Sequence, residues 1–492
     1  MKQVKALAGQ TVVYGLSSIV GRLLNYFLVP LYTRAFTTGE YGTVTMLFAY
    51  ASFLNIVLTY GMETSLFNFS RQVEDKRKVF STILTSVVST SILFLTLAYL
   101  FQGTIAGWVK EGSHPEYIFW LAIILSTDAI SAIGFAKLRE QNKAKSFAIL
   151  KGVNILINIF FNIFFIVICP KIYNNPDNTL YHIIQPIYNP AIGVGYVLIA
   201  NILSSVVTLV LMLPSMIKFG LHFDMQLLKR IMPYTLPLLM AGLAGMVNET
   251  LDRIILVYFL PPDIGKQQIG IYGACYKISI IITMFVQAFR YAAEPFFFTH
   301  SKDPDFKKNY ADINKYFIVI CLIIFLGTMF NLPWIQYFVG EDFRSGLKVV
   351  PILLMANLCL GVSYNLSMWY KLAHKTIYGA YITIFGAIIT IVINVVWIPK
   401  YGYMASAWAT LICYASTMCL SYILSLKHYP VKYDMVRIGI YFALSLTLYL
   451  LGTQLHLGST TMTLIINNGL ILLFAAAVFL IERPSLAVLK RK

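Results

Sequence analysis

Charge is scarce in this chain, and acid is scarcer still. Asp and Glu number 21 in 492 residues against 38 Lys and Arg, and charged residues reach only 12% of the total. A soluble domain carries about 25%. With 58% hydrophobic residues and a mean hydropathy of +0.72, too little polar side chain is available to cover a water-facing surface. That excludes a soluble globular protein. Cysteine is sparse too: the six (Cys169, Cys275, Cys321, Cys359, Cys413, Cys419) fall in or at the ends of apolar runs, none paired at metal-ligand spacing. They read as small hydrophobes, which excludes a zinc site or a disulfide framework. The seven histidines form no HExxH cluster, and no GxxxxGK[ST] loop is present, so neither metalloprotease chemistry nor nucleotide hydrolysis is encoded. No cofactor is expected. Polar–apolar alternation is missing as well: "INIFFNIFFIVI" at 157–168 does not alternate, which excludes a membrane β-barrel.

What the chain does contain is a succession of apolar runs, each long enough to cross a hydrocarbon core about 30 Å thick. Reading them between charged or Pro/Gly-rich breaks predicts an all-α integral membrane protein of fourteen transmembrane helices. The expected spans are 10–33, 42–69, 80–108, 117–137, 147–169, 194–217, 232–260, 269–297, 314–339, 350–370, 377–398, 403–426, 436–454 and 461–481. The first opens after only Lys2 and Lys5, has no small-residue cleavage site and precedes many more spans, so it is expected to stay as an integral helix. The net charge of +17 raises the prospect of nucleic acid, but the charges are distributed as a topology signal. With the N-terminus inside, the outer loops hold only Arg34, Lys110, Lys171, Lys266, Arg344, Lys348 and Lys400. Inner segments carry "RQVEDKRK", "KLREQNKAK" and the terminal "KRK". This is the positive-inside pattern, and it predicts a multi-pass protein of the cell (inner) membrane with both termini cytoplasmic.

The scarce acids reveal a repeat. "YGMETSLFNF" (60–69) and "YAAEPFFF" (291–298) each hold one glutamate in an aromatic setting. An offset of 231 residues carries Tyr41, Gly42, Glu63 and Phe67 onto Tyr272, Gly273, Glu294 and Phe298. An offset of 232 carries Arg139 and Lys143 onto Lys371 and Lys375, and Asn162 onto Asn394. Beyond that, Gly193 and Ala200 match Gly402 and Ala409 at 209, because the first half has an extra outer loop. The expectation is two six-helix bundles, 1–230 and 231–430, followed by two additional helices and a basic tail at 431–492. Each bundle has an even number of helices, so the two run in the same sense, as in parallel-repeat transporters whose halves rock about a cleft.

A charge at the bilayer centre costs about 3 kcal/mol or more, so each one inside a span needs a partner or a cavity. Arg22 sits near mid-depth in the first helix, with Ser18 and Asn25 on its face and no acid within a turn. It reads either as a structural cation paired with Asp128 or Glu63, or as a cavity cation for an anionic ligand. Glu249 and Arg253, with Asp252 beside them, and Arg290 and Glu294 have the i,i+4 spacing that allows self-neutralisation. Lys277 has no acid at helical spacing. The candidate anion-binding set is therefore Arg22, Asn25, Arg253, Lys277 and Arg290. The candidate gating or coupling set is Glu63, Asp128, Glu249, Asp252 and Glu294. Glu63 and Glu294 lie toward the inner ends of their helices. They read either as residues reaching the interface or as a symmetric pair that meets cations when an inner mouth closes. A glutamate there also suits a coupling H⁺ or Na⁺, and the sequence leaves that ion open.

The opening "VVYGLSSIVGRLLNYFLVPLYTRAFTTGEYGTVTMLFAY" resembles the start of the bacterial polysaccharide-biosynthesis flippases. The matching residues are Gly15, Gly21, Arg22, Pro30, Tyr32, Thr33, Arg34, Glu40, Tyr41 and Gly42. "YGYMASAWAT" (401–410) resembles that family's approach to helix 12. The resemblance implies the multidrug/oligosaccharidyl-lipid/polysaccharide exporter superfamily and a non-enzymatic flippase. Its cargo would be a polyprenyl-pyrophosphate-linked oligosaccharide, moved from the inner to the outer leaflet. It also implies that Arg22 faces the pyrophosphate, that helices 13 and 14 are the flippases' extra pair, and that glycan polymerase or assembly proteins are partners. Three rivals follow: a cation-coupled drug extruder, which would need an acidic cleft; a glycan polymerase or ligase, which would need a richer outer loop than 170–193; and a lipid II flippase.

Overall fold

The computed structural model describes residues 23, 26–218, 222–455 and 460–489. Every element among them is helical. In chain order they are α1 (Val29–Ala35), α2 (Thr38–Phe69), α3 (Lys76–Trp108), α4 (Glu116–Glu140), α5 (Ala144–Tyr173), α6 (Gly195–Ile217) and α7 (Met225–Phe259). Then follow α8 (Pro262–His300), α9 (Phe306–Phe330), α10 (Glu341–Leu372), α11 (Ile377–Tyr401), α12 (Tyr403–His428), α13 (Met435–Gln454) and α14 (Thr460–Leu489). Thirteen helices among the described residues are long and apolar enough to cross a membrane. The first expected span, 10–33, lies mostly outside the described residues, so thirteen of the fourteen expected spans are accounted for.

Several of the few acids are spent on helix starts. Thr37 and Glu40 form a reciprocal capping box on α2: the Glu40 amide donates to Thr37 Oγ1 at 3.3 Å, and Glu40 Oε2 accepts from the Thr37 amide at 2.8 Å. Asp75, Asp224 and Asp434 accept from the first free amides of α3, α7 and α13. Asp224 also pairs with Lys78 at 2.5 Å, and that ammonium holds its carboxyl below the usual range. The breaks have local causes as well. Pro170 cannot donate to the helix ladder, and α5 passes into it through a π-helical segment, Phe164–Ile168. In α2 the helix stops at Tyr60 (φ 29°) and Gly61 (φ 75°) and restarts at Met62. The equivalent pair in the second repeat is Tyr291-Ala292, and α8 runs through it unbroken. Ala292 has a Cβ that disfavours the left-handed backbone Gly61 adopts.

The chain forms two compact units. One holds everything up to Gly273 together with Ile391–Tyr403; the other holds Ala274–Thr390 and Met404 onward. In the first, α4 packs on α3 and α6, and α7 lies along α2, with Tyr50 and Tyr258 hydroxyls 2.8 Å apart. A polar ladder joins α5 to its neighbours. Tyr32 donates to Asn162 Oδ1 at 2.8 Å, Asn162 donates to the Asn158 carbonyl at 2.8 Å, and Asn154 donates to Thr208 at 2.9 Å. In lipid such donors need partners within the protein, and small polar residues on facing helices supply them.

Gly42 of the first Tyr-Gly pair and Gly270, two residues before the second, mark the crossing of α2 with the first part of α8. A Cβ on Gly42 would lie 1.9 Å from the Lys266 carbonyl oxygen, and one on Gly270 would lie 1.9 Å from that of Thr38. Backbones this close require glycine, as in small-residue membrane helix contacts. Beside the crossing, buried Glu111 takes a hydrogen bond from Thr43 at 2.7 Å and an ion pair from Lys266 at 2.9 Å.

In the second unit, α9 packs against α10, α13 and α14. Buried Glu482 of α14 binds Lys315 at 2.8 Å, accepts from Tyr441 at 2.6 Å and Tyr316 at 3.1 Å, and meets Arg437 at 3.3 Å.

Candidate functional site

The break at Gly61 gives α2 a short final helix that carries Glu63 in its first turn. Glu63 Oε2 accepts from Arg139 Nη2, at the end of α4, at 2.7 Å. The guanidinium lies 5.3 Å from the centre of the Phe67 ring, and its Nε is buried without a hydrogen-bond partner. A cavity of about 230 Å³ opens here, lined by Thr59, Gly61, Glu63, Thr64, Phe67 and Arg139. Lys151, about two turns into α5, stacks 4.3 Å from the Phe135 ring centre and lies within electrostatic reach of Asp128, Glu63 and Arg139. Asp128 of α4 faces Ser205 of α6 and lies within electrostatic reach of Lys151. Two acids and two bases thus form one mixed-charge track through α2, α4 and α5.

A like pair stands in the second unit. Glu294 of α8 is ion-paired with Lys371 at the end of α10 and lies 3.4 Å from Arg290 Nε. The repeat offsets equate Glu63 with Glu294 and Arg139 with Lys371, so the same contact is made twice. Each glutamate meets a cation of its own repeat, at the loop that follows the fourth helix of that repeat. Charge reversal at Arg139 (Arg139→Glu) is expected to lower the melting temperature of the purified protein by a few degrees, and adding Glu63→Arg should recover most of it. A one-third exposed pair contributes about 1 kcal/mol or less, whereas two facing carboxylates repel. No recovery in the double variant would show that the two side chains do not act on each other.

The other sequence candidates are dispersed. Arg22 and Asn25 lie outside the described residues. In α7, Arg253 is buried, donates to the Glu249 carbonyl oxygen at 2.6 Å and pairs with Asp252 at 3.4 Å. Its ionic partner is therefore the adjacent acid, and Glu249 contributes backbone rather than its carboxylate. The Arg253 guanidinium sits 5.6 Å from the Tyr272 ring centre. Lys277 is half-buried in α8. Arg290 is exposed and stacks 4.9 Å from the centre of Tyr364. Sequence reasoning missed Arg139, Lys371 and Lys151 as site residues by treating them as loop or helix-end positives. The signal was present, since the offset that equates Arg139 with Lys371 nearly coincides with the one equating the glutamates. Among the described residues, no group of His, Cys, Asp and Glu is arranged to hold a metal ion.

Comparison with solved structures defines the class. The lipid II flippase MurJ in an inward closed conformation superposes with a TM-score of 0.71 at 14% identity, covering 96% of this chain and 98% of that one. An inward-facing MATE-family multidrug resistance transporter of the MOP superfamily gives 0.61 at 13% identity, covering 85% and 95%. The MATE multidrug transporter DinF-BH gives 0.60 at 16%, covering 86% and 95%. The fold is the one these flippase and transporter structures share, in a multi-pass membrane protein. No protein of curated function matches the sequence. Residues 7–300, more than half of the chain, match the polysaccharide biosynthesis protein family, and the chain belongs to that family.

Proposed function

We propose that this protein flips a polyprenyl-pyrophosphate-linked oligosaccharide from the cytoplasmic to the outer leaflet by alternating access of a cationic central cleft. Family membership supports the cargo class. The structural observation that carries the mechanism is the ion pair built twice, Glu63–Arg139 and Glu294–Lys371, at equivalent points of a repeat. Alternating access needs two similar bundles, each held in one state by contacts that can be exchanged for others. In this reading the bundles are 1–230 and 231–430, and helices 13 and 14 (431–492) are an addition. The basic loops face the cytoplasm together with both termini, in the inner membrane. Arg22, Arg253, Lys277 and Arg290 replace the hydration of the pyrophosphate, and guanidinium suits that task because it stays charged and forks onto phosphate oxygens. Asp252 and Glu294 balance Arg253 and Arg290 while the cleft is empty, and Glu63, Asp128 and Glu249 complete the gating set. A coupling H⁺ or Na⁺ would bind among these acids. Transport, rather than glycan polymerisation, is the reading that family membership supports.

The test is undecaprenyl-linked sugar in cells lacking the protein. Lipid-linked oligosaccharide is expected to accumulate on the cytoplasmic side. Wild type should clear it, and normally expressed Arg22→Ala should clear it at least about tenfold more slowly, the scale of one lost charge-assisted bond. Absence of any glycan intermediate would sink the flippase reading and turn attention to drug efflux.

A further inference from the structure

We propose that the cavity at the α2 break is a separate phosphate-binding subsite, at the end of the bundle where the basic loops lie, for the phosphate of a membrane lipid. This rests on the flippase reading and deepens it, since the lipid-linked pyrophosphate would wait at this level before reaching the central cleft. Three observations converge on it. Arg139 presents a buried Nε without a hydrogen-bond partner beside an open volume of about 230 Å³, enough for a diphosphate. An arginine edge left unsatisfied is costly, and a phosphate oxygen pair is the ligand its fork accepts. Thr64 adds an exposed hydroxyl on the rim, and Lys151 of α5, behind the lining, lies within electrostatic reach of Arg139 and Glu63.

Glu63 gives the subsite its logic. Its carboxylate occupies one edge of Arg139 at 2.7 Å, as a phosphate oxygen would, so it acts as an internal competitor for the same donor. Gly61 lets α2 turn so that this competitor sits on a short separate helix, which can swing away from Arg139 without unravelling the rest of α2. Two sources share the ligand chemistry, the diphosphate of a lipid-linked sugar and the headgroup of an anionic phospholipid.

The test is calorimetric titration of inorganic pyrophosphate into the full-length protein in phosphatidylcholine nanodiscs. Wild type is expected to bind, and Arg139→Ala to lose at least about tenfold in affinity. Glu63→Gln should bind about tenfold tighter, because a carboxylate facing the anion has been neutralised. A residue with a merely structural role would not tighten binding when its charge is removed. Unchanged or weaker binding in Glu63→Gln overturns the subsite even if Arg139→Ala fails to fold. Repeating the titration in nanodiscs containing phosphatidylglycerol assigns the source. Competition by that lipid identifies a resident headgroup, and indifference to it identifies the diphosphate of the cargo. Loss of the pyrophosphate response in a protein that still clears lipid-linked oligosaccharide from cells would remove the subsite and leave flipping intact. A full response with no glycan intermediate in the deletion strain would do the reverse.

Discussion

Replacing Gly42 or Gly270 with alanine is expected to destabilise the protein by more than about 3 kcal/mol and to abolish complementation of the deletion strain. At both positions the new methyl would lie 1.9 Å from a carbonyl oxygen of the facing helix. That atom belongs to backbone, so no rotamer change relieves the clash, and α2 and α8 must separate. Overpacking against adjustable side chains costs about 1–3 kcal/mol, and here the neighbour cannot adjust. Separation would also pull Lys266 away from Glu111, leaving a buried carboxylate without its cation. The matched control is Gly103→Ala in α3, where nothing lies within 4 Å and the gain in helix propensity should make the change neutral or mildly stabilising. Fluorescence-detected size exclusion after heating reads the difference. A Gly42→Ala variant as heat-resistant as Gly103→Ala would show that the crossing is not as tight as described.

The second large effect is expected at Glu482. Glu482→Gln should destabilise the docking of α13 and α14 on α9 by about 3–5 kcal/mol, lowering the melting temperature by roughly 5 °C or more. Lys315 is 3% exposed and Glu482 1%, so neither can fall back on water when the other is neutralised. Arg437 and the Tyr441 hydroxyl converge on the same carboxylate and lose a charged acceptor together. Lys315 would keep only the half-exposed Asp312, at 3.3 Å, so the loss should come from buried donors left short of a charged acceptor. Replacing both members, Lys315→Met with Glu482→Leu, is expected to recover part of the stability, the remainder being the cost of the Arg437, Tyr441 and Tyr316 donors that lose the same acceptor. If the double variant is as unstable as Glu482→Gln, the hydroxyl network rather than the ion pair holds these helices.

These two sites differ in how far they could be read in advance. Gly42 was legible as one of several residues that recur in order along the sequence, whereas Gly270 was not singled out, and the helix crossing they make shows only once the helices are placed. Glu482 was invisible. It sits immediately after the apolar stretch that defines its span, beside Arg483, and nothing in its neighbourhood points to Lys315, 167 positions away. Glu63 and Glu294 lie between these cases. Their equivalence was legible, whereas their partners, Arg139 and Lys371, were read as interfacial positives and emerged as ligands of the glutamates only in the fold. Likewise, Glu249 and Arg253 have the spacing of an ion pair, but the guanidinium takes the Glu249 carbonyl and the Asp252 carboxylate instead.

The membrane explains where the division falls. In hydrocarbon each segment must satisfy its own backbone hydrogen bonds, so the positions and helical nature of the spans are written locally in apolar runs, caps and prolines. The sequence by itself thus determined that the chain is all-helical and where its spans fall among the described residues. Side-chain pairing is not local. It depends on which face of each helix meets which neighbour, a choice made by glycine contacts and breaks such as Gly61 that summed hydropathy does not register. Only the tertiary structure decided that Glu63 answers to Arg139, that Glu111 is buried against Lys266, and that an arginine edge was left open beside a cavity.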